Sequence, residues 1–276
     1  MTYREALIKA NKLLQNNIDS PNLDAVLLLA FTLKKNKEYI YTWPDKNLNL
    51  KEENIFFSFI NQRIQGKPLA YIIQEKEFYG LKFYVNPYVL IPRPETELII
   101  DQVKKLFSFE QKFTFCDLGT GSGCLGISLV NNFPLSKGIL VDCSYPALKI
   151  AKKNANRHKA LNHLALVQTN MTKLHFSKKI DLLISNPPYI SYKEAQDLPP
   201  EVKSEPQIAL IGGKTGLLFY PFLAKLAKYC LKPKGKLIAE FGATQTEYIK
   251  KIFAKFSKIT IHKDLAGLDR IIVVEK

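Results

Sequence analysis

The sequence predicts an α/β protein. A small helical bundle comes first, followed by a parallel sheet with helices on both faces that closes in an antiparallel hairpin. Three observations lead there. Residues 3–75 carry apolar side chains at helical spacing. From residue 113 onward, short apolar runs alternate with amphipathic segments, the rhythm of strand, crossover helix, strand. The end breaks that rhythm. "KITIH" at 258–262 and "DRIIVVEK" at 269–276 read as strands, and the link holding Ala266-Gly267 is too short for a crossover, so the two must be antiparallel neighbours.

In the helical part, Leu7, Ile8, Leu13 and Leu14 are expected to form the buried face of a first helix. Ser20-Pro21 punctuates, and Asp24 to Leu33 is apolar on most sides, as the central helix of a bundle would be. Residues 51–65 place Ile55, Phe56, Phe59, Ile60 and Ile64 at helical spacing, with Gly66 positioned to end the helix. The next stretch changes character. Phe78, Leu81, Phe83 and Val85 suggest a β-hairpin turning at Gly80. In "IPRPETELIIDQV", Pro92 and Pro94 hold the chain extended, and Glu95 and Glu97 open a helix running to about Leu106. The chain therefore divides into a helical domain at 1–75, a hairpin linker at 76–92 and an α/β domain at 93–276. Within the last, strands are expected at 113–118, 137–142, 164–169, 180–185 and 235–241, and helices near 123–132, 145–159, 216–231 and 244–256.

Composition narrows the class. The content is 46% hydrophobic and 24% charged, as in ordinary globular proteins. The longest clean apolar run, "AVLLLAF" at 25–31, is too short to span a bilayer, and the N-terminus lacks the apolar core of a secretion signal. The four cysteines show no metal-ligand spacing and read as reduced thiols. A cytoplasmic protein without membrane attachment or bound metal is expected. The net charge is +15, yet residues 1–75 hold ten Lys and Arg against eight Asp and Glu. The excess charge of the later residues suits a polyanionic partner, although pairs such as Lys152-Lys153 and Lys178-Lys179 commonly lie on solvated faces.

The chemistry starts at "FCDLGTGSGCLG", residues 115–126, where an apolar strand runs through Asp117 into alternating glycines and then a helix. Glycines allow positive φ and close approach of a ligand to the backbone. Gly121, Gly123 and Gly126 match the dinucleotide fingerprint, and Asp142 follows Gly121 by 21 residues, near where that fingerprint places an acid for the ribose. On those residues alone a nicotinamide dinucleotide stays open. Asp117 and the additional Gly119 shift the balance: residues 117–123 resemble the S-adenosylmethionine (SAM) loop of class I methyltransferases, whose sheet also ends in an antiparallel hairpin. The resemblance implies cofactor contacts from Asp117, Gly119, Thr120, Gly121, Ser122 and Gly123, with the acid facing the cationic end of SAM. At the end of the second strand, Asp142 can accept both ribose hydroxyls. After the third strand many methyltransferases carry an acid for the adenine amino group. This chain has Asn170, whose side-chain carbonyl can accept, and Met171, which can pack on the ring.

The fourth strand leaves through "ISNPPYI", residues 184–190, at the same sheet edge. A planar NH2 group, of an amide or a base, is a poor nucleophile with two protons to place and a flat face to hold. Asn186 can accept one proton through its side-chain oxygen and Pro187 the other through its carbonyl. Pro187 and Pro188 stiffen the backbone, and Tyr189 can stack on the flat face. Such positioning can supply much of a rate enhancement. The motif does not say whether the nitrogen belongs to a base or to a glutamine.

Further stretches, "FYGLKFYVNPYVLIPRPETELI", "DLLISNPPYI", "EPQIALIGGKTGL" and "KDLAGLDRIIVVEK", resemble successive motifs of the bacterial peptide chain release factor glutamine N5-methyltransferase (PrmC/HemK) family. "IPRPETE" together with "NPPYI" is the specific part. The resemblance implies SAM as cofactor, with contacts from residues 119–123, Asp142, Met171 and Asn186. It implies that Asn186, Pro187, Pro188 and Tyr189 hold the glutamine of a Gly-Gly-Gln motif in class I release factors. It makes residues 1–75 a substrate-docking domain and 93–276 the catalytic domain. A monomer is expected, with nucleic-acid contact open but not required. A DNA or RNA base-amine methyltransferase is the alternative reading. The long link 190–214 is expected to flank the substrate, with Glu201 and Glu205 serving either as anchors or as solvated charges. Arg93 and Glu95 either join the hairpin to the site or are plainly structural.

Overall fold

A computed structural model describes residues 1–15, 18–174 and 179–276; Lys178 lies outside them. The chain forms two compact units, one of residues 1–75 with 199–204, the other of residues 76–198 with 205–276.

The first unit is helical: α1 (Tyr3–Leu14), α2 (Pro21–Leu33), α3 (Lys37–Thr42), α4 (Leu50–Ile64) and α5 (Leu69–Ile73). A capping box between Thr2 and Glu5 starts α1. The expected face of α1 is corrected. The helix buries Tyr3, Ala6, Ala10 and Leu14, whereas Ile8 and Leu13 are 53% and 43% exposed. Positions 3, 6, 10 and 14 keep helical spacing, and the two alanines let α1 and α2 approach closely. α4 buries Phe56 and Ile60 as expected, with Phe59 and Ile64 partly buried against the same core. Ile55 is exposed, and Gly66 ends the helix at a φ of +85°. The next position on the buried stripe of α4 is a charge. Arg63 donates from Nε to Asp24 Oδ2 at 2.6 Å, and its Nη2 lies 2.9 Å from Glu201 Oε2. A cation at a buried position persists only when paired in this way.

The second unit begins one residue into a hairpin of β1 (Glu75–Phe78) and β2 (Leu81–Tyr84). Its two turn residues, Tyr79 and Gly80, both have positive φ, the pairing that matches strand twist. There follow α6 (Glu97–Leu106), β3 (Thr114–Leu118), α7 (Cys124–Asn132), β4 (Lys137–Asp142), α8 (Tyr145–Arg157), β5 (Leu164–Gln168) and β6 (Ile180–Ser185). The link after β6 holds two short helices, α9 (Pro200–Lys203) and α10 (Gln207–Leu210), with α9 inside the segment that belongs to the helical unit. Then come α11 (Tyr220–Cys230), β7 (Leu231–Glu240), α12 (Thr246–Phe253), β8 (Lys258–Lys263) and β9 (Asp269–Glu275).

The seven strands lie in the order β5-β4-β3-β6-β7-β9-β8. The first five are parallel, and β9 runs antiparallel to both β7 and β8. This is the sheet the sequence predicts. β7 starts earlier than expected because a register shift admits Leu231 before the regular run from Lys236. Each face of the sheet carries its own core. One holds Ile99, Leu125 and Ala151 from α6, α7 and α8; the other holds Leu223 from α11 and Ile249 from α12.

The hairpin packs into the first of these cores through Phe78 and Phe83, both fully buried. Tyr79 N–H donates to Glu97 at 2.7 Å, and the Tyr79 hydroxyl to Asp101 at 2.8 Å. Asn154, on α8, accepts from Tyr84 N–H at 2.8 Å and donates to the carbonyls of Tyr84 and Ser122 at 3.0 and 2.9 Å. The hairpin thus braces the turn at residue 122. Phe83→Ala should lower stability by about 3–5 kcal/mol. Denaturant unfolding of the full chain checks this, and a loss below about 1 kcal/mol would mean that the hairpin is only a tether.

Candidate active site

Strand register assembles the site. In β3, Leu118 lies opposite Val141 of β4 on one side and Ser185 of β6 on the other. The next residues, Gly119, Asp142 and Asn186, therefore leave the sheet at one level, the carboxyl edge where open α/β sheets bind ligands. They line a pocket with about 830 Å³ of empty space including its open mouth. Gly121, Asn170, Met171 and Pro188 share that wall, and Tyr88, Ile208 and Phe219 also face it.

The glycine loop folds back on the strands. Gly119, Gly121 and Gly123 all have positive φ. The N–H groups of Gly119 and Thr120 donate to the Val141 carbonyl at 2.9 and 3.0 Å, and Gly121 N–H donates to Asp142 Oδ2 at 2.9 Å. Gly123 opens α7. Asp117 Oδ2 accepts from Thr120 Oγ1 at 2.6 Å and from Gly126 N–H at 3.2 Å. Its Oδ1 is buried and has no hydrogen-bond partner among the described residues. Burial pushes the Asp117 carboxyl up to about 7, against those two hydrogen bonds. Burial also raises Asp142, while N–H donors from Ser144 and Gly121 act against it.

Of the residues expected to hold the cofactor, Gly119, Gly121, Asp142, Asn170, Met171 and Asn186 are on the pocket wall. Asp117, Thr120 and Ser122 are buried in the loop that forms the wall, and Gly123 stands at the start of α7. Both Asp142 oxygens already accept a backbone N–H, Oδ1 from Ser144 at 2.9 Å, and each retains a lone pair. The Asn170 side-chain carbonyl accepts from Thr172 N–H at 3.0 Å.

The exit from β6 is held on several sides. Asn186 Nδ2 donates to Thr96 Oγ1 at 3.0 Å, and Thr96 Oγ1 donates to Glu240 Oε2 at 2.6 Å. The Tyr189 hydroxyl donates to the other Glu240 oxygen at 3.0 Å. Burial and the neighbouring Glu240 carboxylate push that hydroxyl well above its usual range. Pro187 is buried and Pro188 is on the wall. Tyr189 is packed against the α11–α12 core instead of lining the pocket. Gln245 Nε2 donates to the Tyr189 carbonyl at 3.0 Å, and Gly212 N–H donates to the Ile190 carbonyl at 2.8 Å. Gly216 has a φ of +75°, and a Cβ there would lie 2.1 Å from the Tyr189 carbonyl oxygen, so only glycine fits.

The two acids of the long link are both anchors. Glu201 pairs with Arg63 in the helical unit. Glu205, buried, accepts from Ile91 N–H at 2.9 Å and pairs with Arg93. Glu95 is exposed. The sequence reading missed Thr96, Glu240, Gln245 and Gly216. Glu240 did leave a signal, a lone acid at the carboxyl end of an apolar strand, where parallel sheets place ligands.

The sheet order, its glycine loop and Asp142 at the end of β4 define the class I methyltransferase fold. A solved methyltransferase from Pyrococcus furiosus shares that fold, with a TM-score of 0.54 over 78% of this chain and 96% of that one, at 18% identity. Residues 5–73 match the PrmC N-terminal domain and residues 94–200 the methyltransferase small domain. The release factor glutamine methyltransferase of Koribacter versatilis is 36% identical over 278 residues, covering 100% of this chain and 99% of its own. The chain belongs to the release factor glutamine methyltransferase family. It also matches the bifunctional methyltransferase of Rickettsia bellii at 34% identity over 96% of this chain, spanning 53% of that longer protein. No described helix is long and apolar enough to cross a membrane.

Gly216→Ala should displace the Tyr189 carbonyl and add about 1–2 kcal/mol of backbone strain. The expected outcome is a lower melting temperature and methyl transfer reduced at least about tenfold, a change worth about 1.4 kcal/mol in the barrier. Wild-type turnover in that variant would show that the backing of Tyr189 is dispensable.

Proposed function

We propose that this protein transfers a methyl group from SAM to the side-chain amide nitrogen, N5, of the glutamine in the Gly-Gly-Gln motif of class I release factors, in the cytoplasm and as a monomer. One observation carries the reading. Asn186 stands on the pocket wall with its NH2 end committed to Thr96, so its oxygen is left to accept an N–H. SAM, when bound, supplies a methyl group on a sulfonium centre. The residues present suit it. The unpartnered Asp117 Oδ1 is an acceptor for a cationic group, Asp142 has a free lone pair on each oxygen for the ribose, and Met171 offers a soft apolar surface. Gly119, Gly121 and Asn170 complete that wall, and Thr120, Ser122 and Gly123 shape the loop behind it.

Asn186 Oδ1 accepts one proton of the glutamine amide and the Pro187 carbonyl the other; neither has a partner among the described residues. Pro187 and Pro188 fix the direction of those acceptors, and Tyr189 holds the motif against the core. As the nitrogen lone pair bonds to the methyl carbon, the carbon–sulfur bond breaks with its electrons kept by sulfur, which leaves as a neutral thioether, and the positive charge passes to nitrogen, where both acceptors stabilise it. The nitrogen then gives a proton to solvent, leaving the neutral methylamide. Residues 93–276 form the catalytic domain in this reading, and residues 1–75 dock the factor. The exposed Phe31, Tyr41, Trp43 and Leu50 of the helical unit support the docking role, since aromatic residues are enriched at protein interfaces.

Incubation of the full chain with labelled SAM and, separately, a release factor, tRNA, rRNA and DNA tests the reaction. Label confined to the Gly-Gly-Gln glutamine is expected, and label on a nucleic-acid base would overturn the reading. Asn186→Ala should lower turnover by about a hundredfold or more while SAM still binds.

The pH dependence of SAM binding tests the Asp117 assignment. Its carboxyl is raised to about 7, so protonation below that pH opposes binding of a cation. Affinity should fall as pH drops from 7.5 to 5.5, approaching about tenfold per unit. Asp117→Asn should bind weakly and lose this dependence in calorimetric titration. A flat wild-type profile would remove Asp117 from the site.

A further inference from the structure

We propose that Thr96 and Glu240 are positioning residues that fix which end of the Asn186 amide faces the substrate; this rests on the glutamine-amide reading above. An asparagine side chain has two ends of nearly equal shape and opposite chemistry, an acceptor oxygen and a donor NH2. A clamp for a substrate NH2 works only with the oxygen outward, because the other orientation sets N–H against N–H. Nothing in the shape of the pocket chooses between them.

The choice is made by a buried relay. Glu240 ends β7 and is 1% exposed; Thr96, just before α6, is 3% exposed. Neither lines the pocket. A hydroxyl has one proton, and that of Thr96 is committed to Glu240 Oε2 at 2.6 Å, the short separation typical of a hydroxyl on a carboxylate. Thr96 can then only accept from Asn186, which requires Nδ2 inward at the observed 3.0 Å and Oδ1 outward. The second Glu240 oxygen takes the Tyr189 hydroxyl proton at 3.0 Å. One carboxylate, accepting at both ends, orients both polar side chains of Asn-Pro-Pro-Tyr. An amide in its place has one acceptor end and one donor end, so it cannot satisfy Thr96 and Tyr189 in this sense together. Burial raises the Glu240 carboxyl, while the donors Thr96 and Tyr189 and the charge of Arg270 favour the ionised form and Glu95 opposes it.

The test has two arms on the full-length chain. In isotope-labelled protein without substrate, nuclear Overhauser contacts should join the Asn186 side-chain NH2 to Thr96. Their absence overturns the relay whatever the reaction proves to be. In kinetics with labelled SAM and a release factor, Thr96→Val should lower kcat by about a hundredfold with SAM affinity and binding stoichiometry unchanged. Thr96→Ser, which keeps the hydroxyl, should restore kcat to within about threefold of wild type. A merely structural role would reduce SAM stoichiometry along with activity. A kcat for Thr96→Val within about twofold of wild type overturns the relay. Should Thr96→Val not fold, Glu240→Gln provides the comparison, with the same fall in kcat expected at unchanged SAM binding. A wild-type protein that shows the amide contacts but labels no release factor would sink the proposed reaction and leave the relay standing.

Discussion

The site depends on one constraint, the parallel register of β3 between its two neighbours. Because Leu118 pairs with both Val141 and Ser185, three loops leave the sheet side by side. They bring a glycine turn, a carboxylate and an amide to one edge. A register slip of one residue would turn alternate side chains to the opposite face, taking Asp142 and Asn186 away from Gly119 together. The apolar residues of both cores hold that register. Phe115, Leu140 and Leu182 point to one face, and Cys116, Val141 and Leu183 to the other.

Upon that frame the protein places two buried carboxylates with different degrees of satisfaction. Glu240 accepts hydroxyl protons on both oxygens, and its surroundings are complete without a ligand. Asp117 is satisfied on Oδ2 and bare on Oδ1. An incomplete buried acceptor is costly, and the cost is relieved by a ligand that brings a donor or a positive charge. In the proposed reaction the first carboxylate shapes the site and the second holds the cofactor.

The sheet, its antiparallel end and the positions of Gly119, Asp142 and Asn186 were legible because each is a local signature. Alternating glycines mark positive φ, a terminal acid ends a strand, and a proline pair stiffens an exit. What was not legible depends on long-range pairing. Thr96 and Glu240 meet across 144 residues, and no periodicity announces it. Arg63 sits where the stripe of α4 expects an apolar residue, since its partners Asp24 and Glu201 come from distant segments. The buried face of α1 is built on Ala6 and Ala10, small residues that close helix packing favours and that a stripe of large apolar side chains does not reveal. For Tyr189 the sequence suggests a stacking surface, whereas its hydroxyl is held by Glu240 and its ring packs on the core.

The strand order also governs when the site can exist during synthesis. β9 follows β8 along the chain but lies between β7 and β8 in the sheet. Until residues 269–275 have left the ribosome, the edge of β7 has no neighbour on that side, and β8 has nothing to pair with. Glu240, whose partner across the sheet is Ile271, stays at an open margin until then. A nascent chain can form its glycine loop and the exit from β6 early. The carboxylate that orients that exit is enclosed only once β9, the last strand of the sheet, has emerged, so the fold delays a finished site until the sheet is complete.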